Sequence, residues 1–231
     1  MNSPSPPPSL PSPTVSLAID RVHPRTGAGP RPSVTVTLAA EEQALRVRFD
    51  AVTPSLLARH TEHQSMVCQD CCVEFFFKPA PGAGYLNIEA NCIGTVLMHH
   101  HPSAERQVAR PVPEAAIDAL GVQTSLPRQP IEPERPGEAH WWLTMDVRYD
   151  VVATIVNQPL ETIKGEGRSL DWRANFYTCA DKAARPYWVS WADVGEPLDF
   201  HKPARFAPLR FDAEGRFTAA RDPDEAASGS T

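Results

Sequence analysis

Alternation of apolar and polar residues recurs along most of the chain. In SVTVTL, Val34, Val36 and Leu38 share one face of an extended segment, and threonines occupy the other. Side chains alternate across a β-strand, so this pattern predicts a strand with one buried face. The further predicted strands are ALRVRFD, CVEFFF, YLNIEANC, WWLTMDVRY, ANFYTCA, PYWVSW and FAPLRF.

The connections between these segments are rich in proline and glycine. PAPGAG, between CVEFFF and YLNIEANC, predicts a hairpin loop. Only PSLLARHTEH and YDVVATIV show short helical patterns. Many short alternating strands joined by such loops predict an all-β fold, an antiparallel β-sandwich with short helices.

The two ends of the chain differ from its middle. The first 13 residues contain six prolines, and the end of the chain, which closes in EAASGST, is polar. Neither segment can build a core, so we expect disordered tails at 1–13 and 217–231. The rest predicts a single domain at 14–216.

Composition excludes some functions and favours a compartment. The formal net charge of −6, with no basic block, argues against nucleic-acid binding. No run of about 18 apolar residues predicts a membrane span. Five cysteines leave at least one free thiol, and the N-terminus lacks the layout of a secretory signal. We therefore expect a cytoplasmic protein.

Polar side chains opposite the predicted core could form a binding surface. If their strands are neighbours in one sheet, amides, carboxylates and guanidiniums would together match the hydroxyls of a sugar. A solvated outer face is the alternative. The residues concerned are Arg46, Arg48, Glu74, Asn87, Glu89, Asn91, Thr144, Asp146 and Arg148.

Aromatic residues are concentrated in the segment 172–206. Several of them belong to any sandwich core. Trp188 and Trp191 have opposite parity, so a regular strand cannot direct both into the core. An aromatic left beside a polar face would stack on the apolar face of a sugar ring.

A metal site is a further alternative. His60 and His63 form an H-x2-H pair, and Cys68 and Cys71 form a C-x2-C pair with Cys72 adjacent. The ligand types suit zinc. The pairs are separated by only four residues, fewer than the 12 or so typical of zinc-binding motifs, so ordinary buried cysteines are the competing interpretation.

Two other features could support metal or haem binding, or catalysis. In MHHHP, His99 and His101 could share a strand face and bind a metal or haem, although exposed histidines at a strand end are the simpler interpretation. Glu74 and Glu89 could act as the two carboxylates of a sugar-active hydrolase. The sequence favours a non-catalytic protein over this enzyme without excluding it.

Five sequence blocks resemble carbohydrate-binding family 9-like proteins. DCCVEFFF, GYLNIEANCIGTVL, WRANFYTCAD, PYWVSW and DFHKPARF follow in that family's order and approximate spacing, over residues 66–212. The resemblance implies a DOMON-like, jelly-roll-type β-sandwich. It also implies a bacterial origin, because relatives with these blocks are mostly small bacterial proteins. The better understood members bind the end of a sugar chain between two aromatics.

The resemblance also implies roles for individual residues. Glu74 and Asn91 fall on sugar-binding positions, and Asp70 resembles a preceding aspartate displaced by one residue. Phe200 falls on the second aromatic of the family's clamp. The first aromatic belongs near Cys68, where this sequence has no tryptophan. The modules bind structural calcium, but its ligands have no identifiable match here, and no other cofactor is expected.

The sequence therefore predicts a non-catalytic β-sandwich that binds a carbohydrate or sugar-like molecule. Hydrogen bonds would come from a polar sheet face, and stacking would come from an aromatic side chain. The predicted ligand-binding residues are Glu74, Asn87, Asn91, Arg148, Trp191 and Phe200.

Overall fold

The computed structural model describes residues 8–218. Most of the predicted N-terminal tail and nearly all of the predicted C-terminal tail lie outside this range. The strands are β1 (Val15–Ile19), β2 (Arg21–Val22), β3 (Ser33–Ala40), β4 (Ala44–Ala58), β5 (Cys72–Lys78), β6 (Tyr85–Asn91), β7 (Val96–His101), β8 (Arg110–Pro111), β9 (Gln123–Thr124), β10 (Ile131–Arg148), β11 (Leu170–Cys179), β12 (Trp188–Ser190) and β13 (Ala207–Phe211).

The strands form two antiparallel sheets. One sheet has five strands in the order β1-β3-β4-β10-β9. The other has eight, in the order β2-β12-β11-β5-β6-β7-β8, with β13 also paired to β11. The predicted all-β antiparallel sandwich is confirmed.

The core lies between the sheets and is built from the apolar half of each alternating strand. Phe75 and Phe77 of β5 point into it, and the ring of Phe75 stacks on Phe176 with centroids 4.7 Å apart. Phe77 stacks on Trp172 at 4.6 Å. The residues that alternate with them along β5, Glu74 and Phe76, therefore project from the opposite side of the eight-stranded sheet.

Short helices occupy the connections. They are α1 (Glu114–Asp118), α2 (Tyr149–Val156) and α3 (Leu160–Ile163), with 3-10 turns at Val67–Gln69, Arg106–Val108 and Pro203–Arg205. The helix predicted for YDVVATIV is confirmed as α2. Within the described residues, none of the helices is long and apolar enough to cross a bilayer.

The helix predicted for PSLLARHTEH is wrong. Residues 54–58 continue strand β4. Pro54 is tolerated because β3 pairs with β4 only as far as Val52, so one edge of β4 needs no amide donor beyond that point. Leu57 and Ala58 are fully buried and extend the core.

The polar residues expected on one face are divided between the two sheets. Arg46, Arg48, Thr144, Asp146 and Arg148 belong to the five-stranded sheet, on β4 and β10. The remaining four belong to β5 and β6 of the eight-stranded sheet, and they are Glu74, Asn87, Glu89 and Asn91. The condition for a single polar face, that all nine residues belong to one sheet, is therefore not met.

Candidate functional site

A cleft of about 730 Å³ lies over the outer face of the eight-stranded sheet. Its floor is formed by side chains of β11, β5, β6 and β7, which are neighbours in the sheet. Its walls come from the 3-10 turn at Val67–Gln69 and from segments 181–188 and 198–201, which lie beyond the ends of floor strands. The volume is within the range of about 300–1,000 Å³ for small-ligand sites.

A hydrogen-bonded chain of three side chains lies on the floor. Nε2 of His101 donates to Oδ1 of Asn87 at 2.9 Å, and Nδ2 of Asn87 donates to Oε1 of Glu89 at 2.8 Å. All three side chains are buried. The carboxylate of Glu89 accepts from Nδ2, which orients the amide of Asn87. Because Oδ1 of the amide only accepts, Nε2 of His101 carries a proton. The floor therefore presents oriented polar groups in a water-poor setting.

Glu74 lies beside these residues, directly opposite Glu89 in the pairing of β5 with β6. The thiol of Cys179 donates to Oε1 of Glu74 at 3.1 Å. A hydrogen bond with Cys72 and burial both raise the pKa of Cys179 well above its usual value, so its thiol keeps the proton that it donates. The carboxylate of Glu74 is 2% exposed.

Two neighbouring rings, Tyr85 and His201, pack against His101. Tyr85 stacks on His101 with centroids 4.3 Å apart and planes 7° apart. The hydroxyl of Tyr85 hydrogen-bonds to Nδ1 of His201, in the DFHKP block, at 3.0 Å. The wall segment 198–201 is thereby tied to the floor.

Phe200 lines the wall of the cleft. Its ring stacks on Tyr177 at 4.1 Å and 13°, and its carbonyl accepts a hydrogen bond from the Tyr177 hydroxyl at 3.1 Å. Tyr177 is buried, whereas Phe200 is only partly buried. The ring is therefore fixed before any ligand arrives.

Trp188 is a second aromatic in the cleft lining, and it was not among the predicted ligand-binding residues. Its Nε1 donates to Oδ1 of Asp181 at 2.7 Å, and the guanidinium of Arg25 lies 5.4 Å from its ring centroid. Burial raises the pKa of Asp181, while the bond from Trp188 partly offsets this shift. The parity argument could have found Trp188, because Val189 and Trp191 together face the core.

The structure brings Glu74, Asn87 and Phe200 together in the cleft but does not bring Asn91 there. Nδ2 of Asn91 donates to Oδ2 of Asp70 and to the carbonyl of His60, both at 2.9 Å. Its Oδ1 accepts from the backbone amide of Thr95. Since both donors and the oxygen are used inside the protein, Asn91 joins loops and has no donor left for a ligand.

Arg148 and Trp191 also lie away from the cleft lining. Arg148 ends β10 on the other sheet, is exposed, and forms a two-point ion pair with Asp150. Trp191 is 1% exposed and packs edge-on against Phe176 in the core. Neither side chain is placed to contact a ligand in this cleft.

The predicted zinc pairs do not converge. Cys71 faces the core, whereas Cys72 belongs to a buried cluster beneath the cleft. The ring nitrogens of His63 are engaged by the amide of Val96 and by Arg128. As predicted, His99 and His101 share a face, the one that lines the cleft.

A different group of potential metal ligands converges. Within residues 8–218, the group of three or more His, Cys, Asp or Glu side chains whose ligand atoms converge is Cys72, Glu74 and Cys179. Calcium prefers six to eight oxygen ligands. Two thiols do not fit it, so the structural calcium implied by the resemblance gains no support here and stays a prediction.

These observations agree with a comparison of the whole chain with known families. A family model described as carbohydrate-binding family 9 matches residues 16–211. The chain belongs to this family. The predicted family is confirmed, and with it the predicted function class, carbohydrate binding by a β-sandwich.

Two solved structures are similar to this chain over most of its length. A candidate carbohydrate-binding protein from Bacteroides uniformis ATCC 8492 is 27% identical, with a TM-score of 0.75 and coverage of 86% of each chain. A family 9 module from Caldicellulosiruptor kristjanssonii, in complex with glucose, is 13% identical with a TM-score of 0.55. That match covers 90% of this chain and 88% of the module and concerns the fold alone. No curated protein matches the chain.

Proposed function

We propose that this family 9 protein binds a saccharide, without cleaving it, in the cleft over the eight-stranded sheet. The floor residues Glu74, Asn87 and Glu89 supply hydrogen bonds to sugar hydroxyls. Phe200 and Trp188 supply the stacking surface. The observation that carries the proposal is the combination of buried, oriented polar groups with two ring systems in the lining of one cleft.

The polar floor suits hydroxyl groups because it offers both donors and acceptors. Carboxylates accept two or more hydrogen bonds, and the amide and imidazole are already oriented by their own bonds. Hydrogen bonds to charged groups contribute about 1.5–3 kcal/mol each. A pre-oriented site also loses little side-chain entropy on binding.

Trp188 supports the proposal because it compensates for the aromatic missing near position 68. Cys68 and Trp188 pack against the same buried cluster, together with Phe200. A ring from β12 can therefore occupy the part of the cleft where the family's first aromatic would stack. Trp188 takes the stacking role that the sequence had suggested for Trp191.

Calorimetric titration of the full chain with glucose, followed by a panel of mono- and oligosaccharides, tests this function. Aromatic stacking contributes about 0.5–1.5 kcal/mol, so Trp188→Ala and Phe200→Ala should weaken binding about two- to tenfold. Glu74→Gln should weaken it by more than about tenfold. Arg148→Ala is the matched control and should bind like the native protein. Absence of binding at millimolar sugar by a folded sample would overturn the proposal.

The hydrolase alternative gives a different result. Glu74 and Glu89 lie opposite each other on neighbouring strands and face the same cleft. If they were an acid and a nucleophile or base, the protein would turn over chromogenic glycosides, and both Glu→Gln variants would lose turnover. We expect no turnover by the native protein.

We also propose a cytoplasmic location. All five cysteines are free thiols, although Cys72 and Cys179 are direct cross-strand neighbours. Such thiols persist in a reducing compartment. Cell fractionation with thiol labelling tests this, and recovery of the protein from an oxidising compartment would contradict it.

A further inference from the structure

Three metal-ligating side chains converge beneath the cleft. The Sγ atoms of Cys72 and Cys179 and a carboxylate oxygen of Glu74 all lie within 4.8 Å of one another. Cys179 Sγ is 3.1 Å from Glu74 Oε1. The thiols are 0% and 1% exposed, and the carboxylate is 2% exposed. None of these residues belongs to the H-x2-H or C-x2-C pair.

Strand register produces this convergence. Cys72 and Cys179 are directly opposite each other in the antiparallel pairing of β5 with β11. Glu74 follows Cys72 by two positions, so it projects from the same face of the sheet. The three ligand atoms are therefore held by two central strands rather than by loops, and they need no rearrangement of the backbone to meet.

We propose that Cys72, Glu74 and Cys179 bind a zinc ion at the base of the cleft. Zinc takes thiolate at about 2.3 Å and carboxylate at about 2.0–2.2 Å in a tetrahedral arrangement. Binding of the ion therefore displaces the thiol protons of Cys72 and Cys179, including the one that Cys179 donates to Glu74 in the metal-free protein, and releases them to water. Ligand atoms in such a site are about 3.5–3.8 Å apart. The observed separations, 3.1 Å for Cys179 and Glu74 and at most 4.8 Å for the other pairs, therefore need only small side-chain adjustments. Thiolate ligands select zinc over magnesium or calcium.

The fourth coordination position faces the cleft. Glu74 and Cys179 both line the cleft, whereas Cys72 lies behind them. Cys68 lines the same region and packs against the buried cluster that contains both thiols. The open position can therefore hold water or the thiol of Cys68. Three protein ligands with one open position are a common arrangement for zinc.

The competing explanation is that the thiols only hydrogen-bond to a buried carboxylate. Zinc titration of the full chain, with cobalt as a coloured substitute, distinguishes the two. We expect one ion per chain and a thiolate-to-cobalt absorption band. Cys72→Ser and Cys179→Ser should each weaken the ion's affinity more than about tenfold. The matched control is Cys92→Ala, which removes an equally buried thiol facing the core and should change nothing.

X-ray absorption at the zinc edge of the native protein gives an independent result if a serine variant fails to fold. Sulfur scatterers at about 2.3 Å support the proposal. A shell of nitrogen and oxygen alone, as His99 and His101 would give, overturns it. So does native-like zinc affinity in folded Cys72→Ser and Cys179→Ser variants, or no zinc binding at all.

The zinc site goes beyond carbohydrate binding and can fail separately from it. Glucose titration of metal-free and zinc-loaded protein separates the two proposals. Sugar binding without zinc binding removes only the metal site. Zinc binding with sulfur ligands and no sugar binding removes only the proposed function.

Discussion

On the outer face of the five-stranded sheet, charged residues pair with one another at the surface, whereas on the eight-stranded sheet they are buried beneath loops. Arg46 binds Asp146 through two bonds of 2.7 and 2.9 Å, and both side chains remain more than one-third exposed. Glu74 and Glu89 are only 2% and 6% exposed. The charges on the five-stranded sheet are neutralised by ion pairs with one another, whereas those on the eight-stranded sheet line a cleft.

The difference comes from the connections between strands rather than from the strands themselves. The segments that surround the cleft are the turn before β5 and the connections that follow β11 and β12. Burial makes each polar group on the floor more dependent on its partner than it would be in water. Variants that separate the inside of the sandwich from its two outer faces test this comparison.

The largest effect should come from the two tryptophans near β12. Trp191→Ala removes a fully buried ring, so the free energy of unfolding should fall by about 3–5 kcal/mol. Trp188→Ala removes a partly exposed ring and should cost less stability while weakening sugar binding. Urea unfolding and calorimetry measure both quantities. A larger stability loss for Trp188→Ala would contradict the assignment of these rings.

The second largest effect on stability is expected in the hairpin loop between β5 and β6. Gly82 and Gly84 have φ of +74° and +70°, so alanine strains either position. A Cβ on Gly84 would lie 2.1 Å from the carbonyl oxygen of His101, whereas a Cβ on Gly82 meets nothing within 4 Å. Gly84→Ala should therefore cost about 1–3 kcal/mol more than Gly82→Ala in thermal or urea unfolding. Equal losses would mean that the floor does not depend on this close approach.

A smaller effect is expected from the hydrogen-bonded chain on the floor. Asn87→Ala leaves His101 and Glu89 each without one bond, which should lower the free energy of unfolding by about 1–3 kcal/mol. Arg148→Ala, which breaks an exposed ion pair, should have a much smaller effect on the free energy of unfolding. Urea unfolding of both variants measures the contrast, and similar losses would show that burial does not strengthen the floor.

Alternation was enough to predict the sandwich and the direction of most side chains. Glu74, Asn87 and Glu89 point away from the core as the pattern of β5 and β6 predicted. The choice between the tryptophans was also available, because Tyr187, Val189 and Trp191 alternate with Trp188 and Ser190. The first three form part of the core.

Other parts of the site could not be obtained from periodicity. Alternation gives the face of a residue within its own strand but not the sheet to which that strand belongs, so Arg148 was grouped with residues of the other sheet. Asn91 occupies the outward parity, yet its partners are Asp70 and backbone groups of two loops. Such bonds depend on three-dimensional loop paths, which local pattern does not encode.

The smallest effect should come from the exposed ion pair that gives the five-stranded sheet its contrast with the floor. Asp146→Asn removes the charge beside Arg46 but keeps the shape of the side chain. The free energy of unfolding should therefore fall by at most about 1 kcal/mol. Salt at about 1 M reduces the Debye length to about 3 Å and should abolish most of that difference. The loss of sugar affinity in Glu74→Gln should persist at the same salt, because the floor is shielded from solvent. If salt abolishes both the stability loss of Asp146→Asn and the affinity loss of Glu74→Gln, the charges on the two faces are equally exposed to solvent. Burial would then not distinguish the floor of the cleft from the five-stranded sheet.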